Sequence, residues 1–191
     1  MDRFTVAEEH RARVRGFADV FLATSGDGLA LGVPDEMRVP EESDGEWVAW
    51  KAIPSTICEA DIAALEEQVA MAFPPLFKAF LLDRCLLMTD FVVRLPQTPS
   101  NAPLRELMNI LEPVREGSFF EEQRLLPFGH DSNDAGPACF DTKKRRADGD
   151  CPVVIVDLGR IREAGYAGEP PNWESFAALL DEIQRELEAY R

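Results

Sequence analysis

The chain has 191 residues, 46% of them hydrophobic, which is enough for a packed core and argues against a largely disordered chain. Chains split into several cores mostly beyond roughly 250 residues, so we expect one domain with some elaboration. The 35 acidic and 20 basic residues give a formal net charge of −15, which repels nucleic-acid phosphates and anionic lipid headgroups and argues against both as partners. The same charge would attract a basic protein.

Cysteine spacing and the first residues indicate the compartment. The four cysteines match neither a zinc motif nor a compact disulfide framework, and we expect free, mostly buried thiols: Cys58, Cys85, Cys139 and Cys151. The first ten residues lack the basic and then apolar order of a secretory signal, and no stretch reaches the about 18 apolar residues of a spanning helix. We therefore expect a cytoplasmic protein.

The first quarter of the chain predicts one helix, one loop and one strand. Apolar residues recur at helical spacing between Val6 and Thr24, and Ser25–Gly28 supplies a stop. Residues 29–45 are rich in Pro, Glu, Asp and Gly and predict a loop, which leads to a short strand over Glu46–Lys51. In such a strand Trp47 and Trp50 face opposite sides, which allows at least one of them to be exposed as an interface aromatic; the alternative is that both belong to the core.

Two helices that meet at prolines are predicted next. Thr56 and Glu59 have the spacing of a capping box ahead of one apolar stripe made by Ile62, Leu65, Val69 and Phe73. Pro74 and Pro75 interrupt this helix, because proline has no backbone N–H to donate, and Pro75 suits the first turn of a second helix.

The second half of the chain predicts mainly strands before a final helix. Residues 86–95 are apolar and β-branched enough for a strand, residues 96–103 break it, and residues 104–111 predict a helical turn. Residues 124–128, 138–141 and 152–158 then predict an antiparallel meander. The periodicity of residues 173–190 predicts a C-terminal helix, with Asn172 as its cap. Helices that flank a group of strands indicate an α+β fold.

The densest polar cluster runs from His130 to Asp134. With Asp141 it raises a divalent-cation site as one hypothesis, but the oxygen spacing of an EF-hand loop is missing. Asp and Asn side chains commonly shape turns by hydrogen-bonding nearby backbone, which favours a turn between two strands here. The basic run 143–146 lies between two predicted strands and is expected to form a solvated hairpin tip.

Sequence motifs for catalysis are scarce. His10 and His130 are the two histidines, and neither lies in a nucleophile motif such as GxSxG. The chain also lacks GxxxxGK[ST] and a GxGxxG motif after a strand, so nothing in it indicates a nucleotide cofactor. We therefore predict a protein without catalytic residues, cofactor or metal.

Several motifs occur in a recognisable order between residues 46 and 190. They are Thr56-x-x-Glu59-x-Asp61-Ile62, Phe73-Pro74-Pro75-Leu76-Phe77-Lys78-x-Phe80-Leu81, Leu126-Pro127-Phe128-Gly129-His130-Asp131, the strand Pro152–Asp157 and Ser175-Phe176-Ala177-Ala178-Leu179-Leu180. In this order they resemble the SUKH superfamily, which is related to yeast cell wall assembly regulators. The resemblance implies a central, mostly antiparallel sheet flanked by helices over residues 46–191, to which residues 1–45 add a helix and a loop, packed as one globular unit.

The same resemblance implies a non-enzymatic binding domain, often a bacterial immunity protein that neutralises a cognate polymorphic toxin of nuclease or deaminase type. Such a toxin is expected to be basic where it holds its substrate, which suits an acidic inhibitor. We expect a monomer or weak homodimer whose partner-binding residues are Trp47, Trp50, His130, Asp131, Asn133 and Asp134.

Two other hypotheses remain open at this point. An intracellular scaffold or regulatory protein of the same fold would use the extra N-terminal helix as a partner or dimer surface. A metal-dependent enzyme would be built on His130, Asp131, Asp134 and Asp141.

Overall fold

The computed structural model describes residues 6–25, 29–44, 47–87, 89–115, 119–157, 159–160, 168 and 170–189. The described residues form six α-helices: α1 (Glu8–Ser25), α2 (Glu59–Val69), α3 (Pro75–Asp83), α4 (Arg105–Arg115), α5 (Phe119–Gln123) and α6 (Phe176–Ala189). Their strands are β1 (Leu29–Ala30), β2 (Arg38–Asp44), β3 (Trp47–Trp50), β4 (Ile53–Pro54), β5 (Arg84–Cys85), β6 (Val93–Arg94), β7 (Leu125–Asp131), β8 (Pro137–Asp141) and β9 (Val153–Ile155). The predicted α+β class is confirmed.

The predicted meander forms the largest sheet. Four antiparallel strands lie in the order β6-β7-β8-β9, and β8 is buried along its whole length. Strands β7 and β9 flank β8 on its two sides, and Val153 at the outer edge of β9 also pairs with Trp173 just before α6. The strand predicted over residues 86–95 is wrong in extent, since β6 covers only Val93–Arg94.

A second sheet overturns the predicted loop at residues 29–45. The order is β1-β3-β2, and β2 pairs with β3 from Arg38 opposite Trp50 to Asp44 opposite Trp47, with a register shift between Arg38 and Ser43. The composition misled the prediction because β2 is an edge strand, where charge and a proline are tolerated. A 3₁₀ helix over Asp35–Met37 precedes it. The predicted helix stop at residues 26–28 lies outside the described residues.

Helices α2 and α3 meet as predicted, with Pro75 in the first turn of α3. The predicted cap of α2 is wrong by two residues: Cys58 is the N-cap, and the Asp61 carboxylate accepts its N–H at 2.8 Å. Thr56 instead donates its hydroxyl to the carbonyl of Ser100 at 3.3 Å. Helix α2 also ends at Val69, so the buried side chain of Phe73 belongs to the segment between α2 and α3 and not to α2 itself.

The core is centred on Phe77 of α3. Its ring lies 5.3 Å from the rings of Phe140 and Phe176, and Phe128 stacks on Phe140 with ring centroids 4.0 Å apart. Helix, sheet and C-terminal helix therefore share one aromatic cluster, which fixes the sheet relative to α3 and α6. The buried side of α1 belongs to the same continuous core through Phe17, which contacts Phe80.

The predicted C-terminal helix forms, but it begins at Phe176, Trp173 lies outside it in a bridge with Val153, and its predicted cap is wrong. The Asn172 side chain accepts the N–H of Ile155 at 2.8 Å and so holds the edge of β9. Ser175 caps α6 by accepting the N–H of Ala178 at 3.0 Å. The buried carboxylate of Asp150 supplies a second cap from a distant segment.

Candidate functional site

The turn between β7 and β8 is shaped by Asp131. Its carboxylate accepts the N–H of Asn133 at 3.0 Å and the N–H of Ala135 at 3.2 Å. Asp134 takes a left-handed backbone conformation with φ 58°, which Asp tolerates better than most residues. The predicted turn chemistry is confirmed, and Asp131 is occupied in holding the turn.

The four residues of the metal hypothesis do not come together. Asp141 pairs with Leu125 at the end of the β7–β8 hairpin that lies away from the turn. It caps a 3₁₀ helix by accepting the Lys143 N–H at 3.2 Å and lies 3.0 Å from the Lys144 ammonium. Within the described ranges, no group of three or more His, Cys, Asp or Glu side chains could hold a metal ion.

The turn is joined to β6 by an ion-pair cluster. The guanidinium of Arg94 lies 3.3 Å from the carboxylate of Asp90 and 3.6 Å from that of Asp134. Ser132 donates its hydroxyl to Asp90 at 2.7 Å and also contacts the carbonyl of Phe91. Two carboxylates therefore share one guanidinium at the surface, which leaves excess negative charge.

We name this surface the hairpin patch, and it consists of Asp90, Arg94, His130, Asn133 and Asp134. His130 lies opposite Arg94 in the register of β6 and β7, and it is exposed. Asp134 keeps 83% of its side-chain surface accessible. The structure thus gathers three of the predicted partner-binding residues into one face and adds Asp90 and Arg94, which sequence reasoning missed.

The two tryptophans of β3 face opposite sides, as predicted. Trp47 is 48% exposed, whereas Trp50 is 5% exposed and packs against Phe21 with ring centroids 6.2 Å apart. A partner cannot reach Trp50 in this conformation, so of the two residues Trp47 is the available aromatic anchor. The Phe21 ring also contacts Phe91 at 5.3 Å, which connects the interior side of β3 to the segment beneath the hairpin patch.

A cavity of about 350 Å³ opens where three helices begin. Its polar lining consists of Glu9, His10, Arg13, Asp148 and Asp150. Pro75, Leu76 and Ala177 form its apolar lining. Sequence reasoning missed this site because α1, α3, the segment before β9 and α6 are far apart in the chain, and no local spacing marks their meeting.

The charges around this cavity are unevenly compensated. Asp181 lies 2.5 Å from the Arg13 guanidinium, so this cation is already paired. Asp150 accepts three backbone N–H groups, and Asp148 lies 3.3 Å from Arg146. The Glu9 side chain is exposed and makes no hydrogen bond or ion pair within the part of the chain that the structure describes.

Helix α1 offers little apolar surface to a partner. Val14, Phe17 and Phe21 are each at most 2% exposed, because this side of the helix packs against the core beside α3 and α6. The scaffold hypothesis expected α1 to supply a partner surface, and its apolar stripe is already covered.

The basic run 143–146 is exposed as predicted, and it has structural partners. Lys143 donates to Gln123 at 3.2 Å, and Arg145 donates to the carbonyls of Gly149 and Ala72. These contacts tie the β8–β9 connection to the segment after α2.

The chain matches no protein-family model, and no curated protein matches it significantly. The SUKH resemblance therefore stays a prediction. None of the helices in the described ranges has the length and apolar character needed to cross a membrane.

Proposed function

We propose that this protein is a non-enzymatic protein-binding domain that neutralises a cognate toxin of nuclease or deaminase type by forming a direct complex with it. The observation that carries this proposal is the hairpin patch, a pre-formed acidic surface at one end of the four-stranded sheet. The motif order that resembles the SUKH superfamily supports the same assignment.

Rigidity makes the hairpin patch suitable for recognition. The Asp131 carboxylate holds the turn from inside, and Ser132 ties the turn to Asp90, so few conformations are lost when a partner binds. Asp134 and Asn133 project from this fixed turn into solvent. Hydrogen-bond acceptors that are already in place favour a complementary basic surface.

Charge and an exposed aromatic residue support a protein partner. The formal net charge of −15 would accelerate encounter with a basic toxin and disfavour nucleic acid. Trp47 is 48% exposed on β3, and exposed tryptophans are among the residues that contribute most to protein interfaces. The proposed complex therefore combines electrostatic steering with an aromatic contact.

A cytoplasmic location is part of this proposal. All four cysteines are free and three of them are buried, as in a protein kept in a reducing compartment. A toxin that attacks nucleic acid or nucleotides inside the cell would be met there.

The experiment is binding of the purified protein to the toxin encoded beside its gene, measured by calorimetry, together with the toxin's activity. We expect a stoichiometric complex and loss of activity at equimolar inhibitor. The double variant Asp90→Asn/Asp134→Asn should weaken binding at least tenfold, because it removes two charges while amide oxygens can keep the hydrogen bonds. The matched control is Glu121→Gln/Glu122→Gln, which removes two charges from exposed positions on α5. Absence of both complex and protection would overturn the proposal.

A further inference from the structure

The cavity at the start of α1, α3 and α6 combines negative charge with an apolar wall. Glu9 has no partner among the described residues, and Asp148 is engaged only by the exposed Arg146 and by its own turn. The Nδ1 atom of His10 is buried and has no hydrogen-bond partner in the same part of the chain. An occupant that brings several N–H donors and a positive charge would pair with the Glu9 and Asp148 carboxylates.

A spherical metal ion does not suit this arrangement. The acidic side chains come from α1 and from the turn before β9, and within the described ranges they form no group that could hold a metal. A guanidinium suits it better, because it presents five N–H donors in a plane and can reach several separated acceptors at once.

The apolar wall fits the rest of an arginine side chain. Pro75, Leu76 and Ala177 line the cavity beside the charged groups, and arginine packs its methylene stem on apolar surface while its head contacts polar groups. The volume of about 350 Å³ leaves room for one such side chain with water. The chain's own Arg13 does not neutralise the site, since Asp181 lies 2.5 Å from it. Arg146 balances the charge of Asp148 in the same way, so Glu9 and Asp150 give the lining its excess negative charge.

We propose that this cavity receives an arginine side chain of the protein partner, with Glu9 and Asp148 as the carboxylates that contact its guanidinium. This inference rests on the proposed function and names a second contact for the same complex. The cavity lies at the end of β8 that leads to Asp148, whereas the hairpin patch lies at the end that begins at Pro137. The two surfaces can therefore be changed separately.

The first test uses short blocked peptides in place of the partner. Backbone amide shifts of the ¹⁵N-labelled protein are followed while acetyl-Gly-Arg-Gly-amide, or its lysine counterpart, is added. We expect shifts concentrated at Glu9, His10, Gly149 and Ala177, at least threefold weaker binding of the lysine peptide, and weakening as salt is raised. Shifts spread evenly over acidic surface, with no preference for arginine, would overturn the inference.

The second test uses matched charge variants. Glu9→Gln/Asp148→Asn should weaken binding of the arginine peptide and of the toxin about tenfold, whereas Glu121→Gln/Glu122→Gln should stay within twofold of the parent protein. Glu9→Gln alone controls for misfolding of the double variant, because the Glu9 side chain is exposed and its replacement should leave the protein folded. If both double variants weaken binding equally, the effect comes from the net charge alone, and the inference is overturned.

The outcomes separate this inference from the proposed function. If the toxin binds the parent protein and Glu9→Gln/Asp148→Asn equally well, the arginine site is wrong and the proposed function stands. If the toxin does not bind at all, the proposed function fails, and the peptide titration still decides whether the cavity recognises arginine.

Discussion

The carboxylate of Asp150 accepts the backbone N–H of Phe176 at 3.2 Å, across 26 positions of the chain. It also accepts the N–H of Ala177 at 3.2 Å and that of Cys151 at 2.8 Å. A buried negative charge thus lies at the N-terminus of α6, where the helix dipole and the free N–H groups stabilise it. This contact fastens the β8–β9 connection to the helix that completes the aromatic core.

Replacement of Asp150 by alanine should destabilise the protein by about 2–3 kcal/mol, because two helical N–H groups lose their acceptor in a buried place. Asp150→Asn should cost less, since its remaining oxygen can serve Cys151 and Phe176. Hydrogen exchange at the first turn of α6 should accelerate in Asp150→Ala. The control is Asn172→Ala, which removes an acceptor of β9 and should leave exchange at Phe176 and Ala177 unchanged.

Gly136 should be irreplaceable in the turn that carries the hairpin patch. A Cβ at this position would lie 2.0 Å from the carbonyl oxygen of Val156, and its φ of 154° is uncommon for residues with side chains. Gly136→Ala is therefore expected to cost about 3 kcal/mol or to prevent folding. Gly16→Ala in α1 should instead stabilise by about 0.5–1 kcal/mol, because a Cβ there meets nothing within 4 Å. Denaturant unfolding of both variants checks the pair, and equal stabilities would contradict this account.

Asp83 and Asp61 should give opposite pH dependences of stability. Burial raises the pKa of Asp83 above its ordinary 3.8, while Arg84 and Arg15 oppose the shift. The folded state then holds this proton more tightly than the unfolded chain, so stability is lost as pH rises from 3.8 through the raised pKa. Asp83→Asn should remove this loss, so the variant should become more stable than the parent protein as the pH rises to neutral.

Hydrogen bonds from the thiol and the backbone N–H of Cys58 lower the pKa of Asp61 below 3.8. Its contribution to stability is therefore present above pH 3.8 and is lost as pH falls through the lowered pKa. Asp61→Asn should cost about 0.5 kcal/mol at neutral pH, and the cost should vanish in acid. Thermal unfolding at several pH values tests both aspartates, and parallel trends in the two variants would contradict the assignment.

The two tryptophans of β3 should respond differently to truncation. Trp47→Ala is expected to change the free energy of unfolding by less than about 0.5 kcal/mol and to weaken partner binding, because its side chain is largely in solvent. Trp50→Ala should cost about 3–5 kcal/mol, since it leaves a cavity beside Phe21. Acrylamide quenching of tryptophan fluorescence, compared with that of the parent protein, should decrease most in Trp47→Phe. Strong destabilisation by Trp47→Ala would show that this residue belongs to the core.

Cys58 should be the one cysteine that reacts with a thiol reagent in the folded protein. It is exposed, whereas Cys85, Cys139 and Cys151 are buried. Burial raises the pKa of Cys139 and raises that of Cys151 to about 11, so little thiolate forms at either position in mildly alkaline solution. The native protein should therefore titrate one thiol and the unfolded protein four, and Cys58→Ser should abolish the native reaction.

Local patterns were enough to predict several elements. The apolar positions Phe176, Leu180, Ile183 and Leu187 recur every three or four residues. This spacing predicts α6, because a helix with one face in the core and the other in solvent needs apolar residues on one side only. The meander and the Asp131 turn likewise depend on neighbouring residues, whose strand propensity and short side-chain hydrogen bonds act within a few positions.

The sequence by itself determined the α+β class, the proline corner between α2 and α3, and the acidic character of the surface, because these depend on local geometry or on composition. Only the tertiary structure decided that β2 is a strand, that Asp150 caps α6, and that Glu9 and Asp148 share a cavity. It also brings the guanidinium of Arg124 within 3.3 Å of the Ala70 carbonyl at the end of α2, which has no basic residue in its own last turn. Except for the β2–β3 pairing, which joins neighbouring segments, these relationships join residues 26 or more positions apart, and their energies exist only after the chain has closed the intervening loops.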